Sequence, residues 1–492
     1  NLAPNVDINL ADKSELYFYS CLLKLQPVSV ENAMGPSWVD PRTGEIVTAT
    51  VLVYNDVINT IDNWRFVQTA QLAPAARTAS MPDSIVASTL EYIIAHEIGH
   101  TLGFMHNMAA SAAFPTDSLR SATFTRQYGT TPSIMDYARF NYVAQPSDRG
   151  VALTPPSLGV YDYYALEWAY RVFPRSKGYK DDVRPLRQLI DAHAGDPMYR
   201  YGLQQSGFRY DPTAIEEDLG DDPLKASDYG LQNLNYILGH FDAWIPDGDG
   251  ARKAELYRQM VSQAYGYVRN VYANVSGIRL YQTTETSGLP RYRVVPKDRQ
   301  RAAALWMLDE ARRFGKRGVA EIENRLPQLA SHPYKTLASG IQEMALSATP
   351  RLALSFYLDS TSYSPLEYCD DVYRNVWAKT IAGNEALDED DIALQKVYVE
   401  KLKANVDEVK QVGKVRGLHD AHADESFLGF GSGYGEPETM WMATVDRTAE
   451  YVFHYALKLK QLLEERIATT RTPETKAHYV LLHARVQKYL NT

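Results

Sequence analysis

The sequence predicts an α+β protein, with a sheet-containing first domain followed by a large, mainly α-helical region. Three observations carry that expectation. Charged residues number 23 in the first 150 positions and 88 in the remaining 342, and the denser charge suits solvated helix faces. Glu45 to Tyr54 (EIVTATVLVY) has the Val, Ile and Thr content of a strand. Beyond residue 250, apolar residues recur at three- and four-residue spacing.

The elements follow in chain order. Asp40-Pro41-Arg42-Thr43-Gly44 sets Pro and Gly where a hairpin turn needs them, just ahead of the strand. A helix fits from about Asp83 to Leu102, with Asp83 and Ser84 as capping candidates and an apolar stripe through Ile85, Leu90, Ile93, Ile94 and Ile98. Leu256, Met260, Val261, Ala264, Tyr267, Val268 and Val271 mark a strongly amphipathic helix. Val445, Ala449, Val452, Phe453, Ala456 and Leu457 mark another, and shorter patterns occupy 298–313 and 475–490. No fixed-period repeat is present, so a solenoid is not required. Leu428 to Pro437 (LGFGSGYGEP) reads as a flexible loop, because it lacks the Gly-Lys-Ser/Thr ending of a phosphate cradle and no strand precedes it.

Composition narrows the function class. The chain has 492 residues, 45% apolar and 23% charged, and no apolar run approaches the length of a membrane span. That length suits roughly two to four domains. A formal charge of −9 argues against a nucleic-acid partner, which calls for clustered Lys and Arg. Nothing marks Cys21 and Cys369 as a pair, and both read as buried free thiols. Asn1 in place of an initiator Met is expected of a processed chain or a fragment, and Asn274-Val275-Ser276 is a lone glycosylation sequon.

The chemistry is concentrated in His96-Glu97-Ile98-Gly99-His100-Thr101-Leu102-Gly103-Phe104-Met105-His106. His96 and His100, four apart on a helix, project from one face and can reach one zinc ion at the usual ~2.0–2.1 Å. Glu97 is displaced around the helix, where it can hold a water without being a ligand. Gly103 can take a positive φ, end the helix and swing the chain back, bringing His106 round as third ligand. Three nitrogens leave the fourth tetrahedral position open, as in catalytic zinc sites. Five such fixed positions arise by chance in roughly 2 chains per 100,000 of this length.

HEIGHTLGFMH resembles the extended zinc signature of the metzincin metalloendopeptidases. That clan carries a methionine turn beneath the metal, and Ser133-Ile134-Met135-Asp136-Tyr137 is similar to it. The resemblance implies that Met135 forms the floor under the imidazoles. It also implies that Tyr137 is the switchable ligand and oxyanion stabiliser seen in astacins and serralysins. Gly159 to Trp168 (GVYDYYALEW) is similar to the helix closing a metzincin catalytic domain, which sets expected divisions at 1–172 (zinc peptidase), 173–245 (linker or helical insert) and 246–492 (α-helical domain). By the same resemblance Ala138 to Ala144 walls the pocket for the residue after the cut, making Phe140 and Tyr142 pocket candidates or plain core.

Gly35–Ile46 (GPSWVDPRTGEI), the HEIGHTLGF helix, SIMDYARFNYVAQ and Glu216–Leu234 (EEDLGDDPLKASDYGLQNL) together look like a bacterial Met-zincin-like family of zinc-dependent peptidases, mostly predicted to be exported. The resemblance therefore implies one catalytic Zn²⁺, peptide or protein substrates, and a periplasmic, cell-surface or secreted location. Two departures stand out. Asn107 is not the marker residue that follows the third His in the best-known metzincin subfamilies, and residues 1–34 show no long helix ahead of the strands.

The expected reaction is peptide hydrolysis, with Glu97 as general base and acid, Tyr137 at the oxyanion, and substrate added to a sheet strand, for which Glu45–Tyr54 is the candidate. Weaker features have blander readings. Glu216, Glu217, Asp218, Asp221 and Asp222 could bind Ca²⁺ but lack the alternation of a calcium loop, and Asp222 before Pro223 also reads as a helix cap. His419-Asp420-Ala421-His422 reads as a solvated loop, and Cys21 has no motif around it to make it a latency ligand. The rival function is a catalytically idle, zinc-containing binding protein whose helical region recognises a protein or glycoprotein.

Overall fold

The computed structural model describes residues 20–154, 158–205, 209–246, 248, 250–411 and 447–491. The Gly-rich stretch 428–437, the 419–422 histidine pair and Val445 lie outside them. The chain divides into two compact units. The first comprises Asn1–Gly207, Thr213–Ala264 and Tyr281–Arg291, and the second Phe208–Pro212, Tyr265–Leu280 and Tyr292–Thr492.

The first unit is built on a small mixed sheet. Strands β1 (Ser20–Gln26), β2 (Ala33–Met34), β3 (Ser37–Val39) and β4 (Ile46–Tyr54) are arranged around β4, which pairs in parallel with β1 and antiparallel with β2 and β3. The expected hairpin turn joins β3 to β4: the Gly44 and Thr43 amides both reach the Asp40 carbonyl. Alternation along β4 buries Ala49, Val51 and Val53. β4 is thus the interior strand, and both its edges are engaged. That corrects the expectation that Glu45–Tyr54 would receive substrate.

Helices α1 (Val57–Thr69) and α2 (Asp83–Thr101) close the apolar face. Val51, Val53, Val57, Ile61 and Ile93 form its core, with Leu90 and Ile94 packed against them. Two details of α2 differ from expectation. Pro82 occupies the N-cap and Asp83 is the first helical residue, where its charge favours the helix dipole without capping it. Ile98 is exposed, because the inward face runs Thr89, Ile93, His96 and Glu97.

A short helix α3 (Ala122–Tyr128), then α4 (Val160–Tyr170) and α5 (Tyr179–Ala192), follow. The first unit continues past residue 172 because α6 (Pro223–Trp244) and the start of α7 (Ala251–Tyr272) pack on α1. Phe241 meets Phe66 at 5.9 Å between ring centroids, and the Gln68 amide donates to Gln263 at 2.9 Å. Asn233 also donates to the carbonyls of Tyr142 and Ala144. Of the stretch 173–245, α6 and the residues ahead of it from Thr213 contribute core, while α5 buries none of its residues. Phe140 and Tyr142 are 2% and 3% exposed, with Arg65 over the Phe140 ring, so both are core residues and not an open pocket wall.

Among its described residues the second unit is mainly helical, with one antiparallel hairpin of β5 (Ile278–Leu280) and β6 (Tyr292–Val294). Its helices include Lys297–Arg313, Pro333–Ala345, Pro365–Val376, Glu389–Gln411, Thr448–Thr469 and Pro473–Asn491. Trp377, Leu394, Val399, Leu459, Leu463, Leu482 and Val486 are buried, and Arg301 grips Asp371 through two hydrogen bonds. In the Thr448–Thr469 helix, Val452 and Ala456 point inward while Phe453 and Leu457 stay exposed. Asn274 of the sequon is buried, its amide spent on the Asn270 carbonyl. Cys369 is a free, part-buried thiol. No helix among the described residues is long and apolar enough to cross a membrane.

Candidate metal centre

The inward register that buries Ile93 also turns His96 and Glu97 inside, at 5% and 7% exposure. His100 follows one turn on. Gly103 then takes φ +87°, a left-handed conformation that ends the helix and returns the chain toward it. The turn places His106 opposite the helix, with ring centroids 4.6 Å from His100 and 5.2 Å from His96. One ring nitrogen from each of the three histidines lies within 4.8 Å of the others. The Nε2 atoms of His100 and His106 are 3.1 Å apart, close to the ~3.3 Å edge of a tetrahedral zinc site.

Each imidazole is oriented from behind. His96 Nδ1 donates to the Ile134 carbonyl at 2.7 Å, and His100 Nδ1 to the Phe104 carbonyl at 2.8 Å. His106 Nδ1 donates to Gln204 Oε1 at 2.7 Å, and the amide of Gln204 donates in turn to Glu216 Oε1 at 3.2 Å. With every Nδ1 carrying its hydrogen, every Nε2 offers a lone pair. The trio fits a zinc ion by this chemistry: three neutral nitrogens converge, and no cationic partner competes for them. Burial, together with the neighbouring imidazoles, holds His96 down at about 3 and His106 at about 4.

Met135 lies beneath, almost wholly buried. A Cβ built on Gly99 would overlap Met135 Sδ, so the bare Gly99 backbone of α2 is what admits the sulfur. The methionine turn is held from α4. Asp162 accepts hydrogen bonds from Ser133 Oγ, the Ile134 amide and the Gly159 amide. Tyr137 meets two of the imidazoles, edge-on to His106 at 4.5 Å and tilted to His96 at 5.6 Å between centroids. Burial pushes its hydroxyl up to about 12, so it remains an O–H donor at neutral pH.

Glu97 receives the backbone N–H of Gly35, which lies between β2 and β3, while burial raises its carboxyl to about 7. Asn107, next to the third histidine, is a staple. Its amide nitrogen reaches the Met135 carbonyl, and its side chain holds Arg200 and Gly202. The acidic run is distributed among partners: Glu216 with Gln204, Glu217 with Arg139 at 2.7 Å, Asp218 with Ser111, Asp221 with Thr116, and Asp222 capping α6. The expected cap at Asp222 is present. Among the described residues, the histidine trio is the cluster able to hold a metal.

The predicted ligands, Glu97, Met135 and Tyr137 are therefore brought together, while Phe140 and Tyr142 are not. Gln204 carries no local motif that would assign it here, whereas Gly35 and Glu216 open two of the blocks that carry the family resemblance, which gives neither a role at the metal centre. Asp162 does lie in a stretch whose resemblance to the closing helix draws attention to it.

An active-site helix with two histidines, a third from the returning chain and a methionine floor is the centre of a metzincin-type protein. The chain belongs to the Met-zincin family, whose family model matches residues 78–383. No curated protein and no solved structure matches it. Family and site together give the protein a zinc-metalloprotease-like character.

Proposed function

We propose that this chain is a zinc-dependent endopeptidase. The observation that carries the reading is the pairing of three converging imidazoles with a buried carboxylate that ligates nothing. A structural zinc site has no use for Glu97. His96, His100 and His106 would hold the ion, which when bound supplies Lewis acidity, acidifying water and polarising a carbonyl.

The protein's own groups supply the rest. Glu97 takes the proton of the attacking water and delivers it to the leaving amine, with the Gly35 N–H fixing its carboxylate. The Tyr137 hydroxyl donates to the developing oxyanion. Substrate lies extended along the segment from Ala33 to Val39, on the outer side of β4 and beside Glu97, where edge backbone groups can pair with a peptide.

The test is zinc analysis together with a peptide-library digest of the wild type and Glu97→Gln. Both proteins are expected to hold one zinc per chain, with cleavage by the variant reduced by roughly 10²- to 10⁴-fold. Full zinc with no cleavage of any peptide or protein by the wild type overturns the proposal and leaves the idle binding protein.

A further inference from the structure

The third imidazole is oriented by a side chain 98 residues further along. The route by which Gln204 arrives is well braced. The Met108 amide donates to the Gly202 carbonyl, Asn107 Oδ1 accepts the Gly202 amide, and the Gln205 side chain donates to the Ala214 carbonyl. Ala214, Met108 and Ala109 form a small apolar cluster against which Tyr137 packs. Segment 200–205 is thus stapled to the residues that follow His106.

The polarity of this arrangement is forced. A carboxylate only accepts hydrogen bonds, so the Gln204 group facing Glu216 must be its NH₂. The amide oxygen is then left for His106 Nδ1, which must carry the hydrogen, and the lone pair falls on Nε2. Hydrogen bonds run in one direction from imidazole to amide to carboxylate. Glu216 is itself set in a turn whose next residue, Glu217, has φ +64°, a left-handed conformation uncommon for a non-glycine residue. On either side of that residue the turn is tied down, Glu217 to Arg139 and Asp218 to Ser111. Backbone strain is retained where three neighbouring carboxylates each reach a different part of the site.

We propose that Gln204 is a positioning residue of the metal centre: its amide oxygen holds the His106 imidazole with Nε2 turned to the metal, and Glu216 determines which way that amide faces. The proposal rests on the zinc reading of the site. It makes residues 200–205 and 213–218 part of the metal centre, although no metal ligand lies within them.

The experiment compares the full chain with its Gln204→Leu and Glu216→Ala variants and with the double variant Gln204→Glu, Glu216→Gln. The metal-free proteins are titrated with zinc against a chromophoric chelator, and Co²⁺-loaded samples are read by visible absorption. Gln204→Leu, which removes the acceptor, is expected to bind zinc roughly 10- to 100-fold more weakly and to shift the Co²⁺ bands. Gln204→Glu combined with Glu216→Gln exchanges acceptor and donor between the two positions and keeps an oxygen acceptor toward Nδ1. It is expected to stay within about three-fold of wild type, a rescue that a merely structural role would not produce. A Gln204→Leu protein that folds, binds zinc within two-fold of wild type and leaves the Co²⁺ spectrum unchanged overturns the proposal. Should that variant fail to fold, Glu216→Ala decides, since it leaves Gln204 in place but frees its amide; unchanged affinity there also overturns it. Gln204-dependent zinc binding in a chain that cleaves nothing supports this inference while removing the peptidase reading. A wild type that takes up no zinc removes both.

Discussion

The Ile134 amide donates to the Asp162 carboxylate at 2.9 Å, and the carbonyl of the same Ile134 accepts His96 Nδ1 at 2.7 Å. A single residue of the methionine turn thus links a buried acid on α4 to the first imidazole on α2. The acid supports the metal centre without approaching it.

Asp162→Ala should therefore damage fold and site together. It leaves the buried Ser133 hydroxyl, the buried Ile134 amide and the part-buried Gly159 amide without their acceptor, a loss of about 2–4 kcal/mol. Urea unfolding of the metal-free protein measures it, and zinc titration should show weaker binding as Ile134 shifts. A variant within about 0.5 kcal/mol of wild type, no more than ordinary surface-mutation scatter, would remove Asp162 from the support of the turn.

Tyr137→Phe separates chemistry from metal binding. The ring keeps its packing against His106 and the Met108–Ala214 cluster, so zinc content should not change. Loss of the hydroxyl donor should lower kcat by roughly ten- to a thousand-fold with little change in KM. An unaltered kcat would take the hydroxyl out of the mechanism.

Stability should fall as pH rises through neutrality. Ser111 bridges two buried acids, its amide to Asp136 and its hydroxyl to Asp218. Burial raises the Asp136 carboxyl to about 7 and the Asp218 carboxyl well above the usual carboxylate range. In the unfolded chain both titrate near ~4. Between those limits these two acids hold more protons in the native protein, so their contribution to stability is full below about pH 4 and is lost as pH rises through about 7. The depressed histidines act in the opposite sense only below about pH 6.5. Urea midpoints of the metal-free protein at about pH 7, 7.5 and 8, above the range where the histidines titrate in the unfolded chain, should decline in that order. Asp218→Asn should flatten the trend, and a rising series would refute the assignment.

Much of this architecture was legible locally. The α2 helix, the Asp40–Gly44 turn with its following strand, and the Leu256–Val271 stripe each announce themselves within a few turns of chain. Short-range sterics and periodic burial decide such elements. The stripe from Val445 was legible only in part, because Phe453 and Leu457 differ from Val452 and Ala456 in exposure and not in hydrophobicity. Phe140 and Tyr142 were undecidable for the same reason: an aromatic side chain suits a pocket wall and a core equally well.

By itself, the sequence determined the metal chemistry of this protein. Helical spacing and one glycine suffice to converge His96, His100 and His106 beside Glu97, because all four lie within eleven residues of chain. Tertiary structure alone decided what holds those groups in register. Gly35 at Glu97, Asp162 behind Ile134, and Gln204 with Glu216 behind His106 come from distant segments. Their hydrogen bonds depend on chain packing, to which local periodicity is blind. Residues 200–205 and 213–264, past the expected domain end at 172, thereby gain a first role, since they complete the core of the unit that contains the zinc helix and orient its third imidazole.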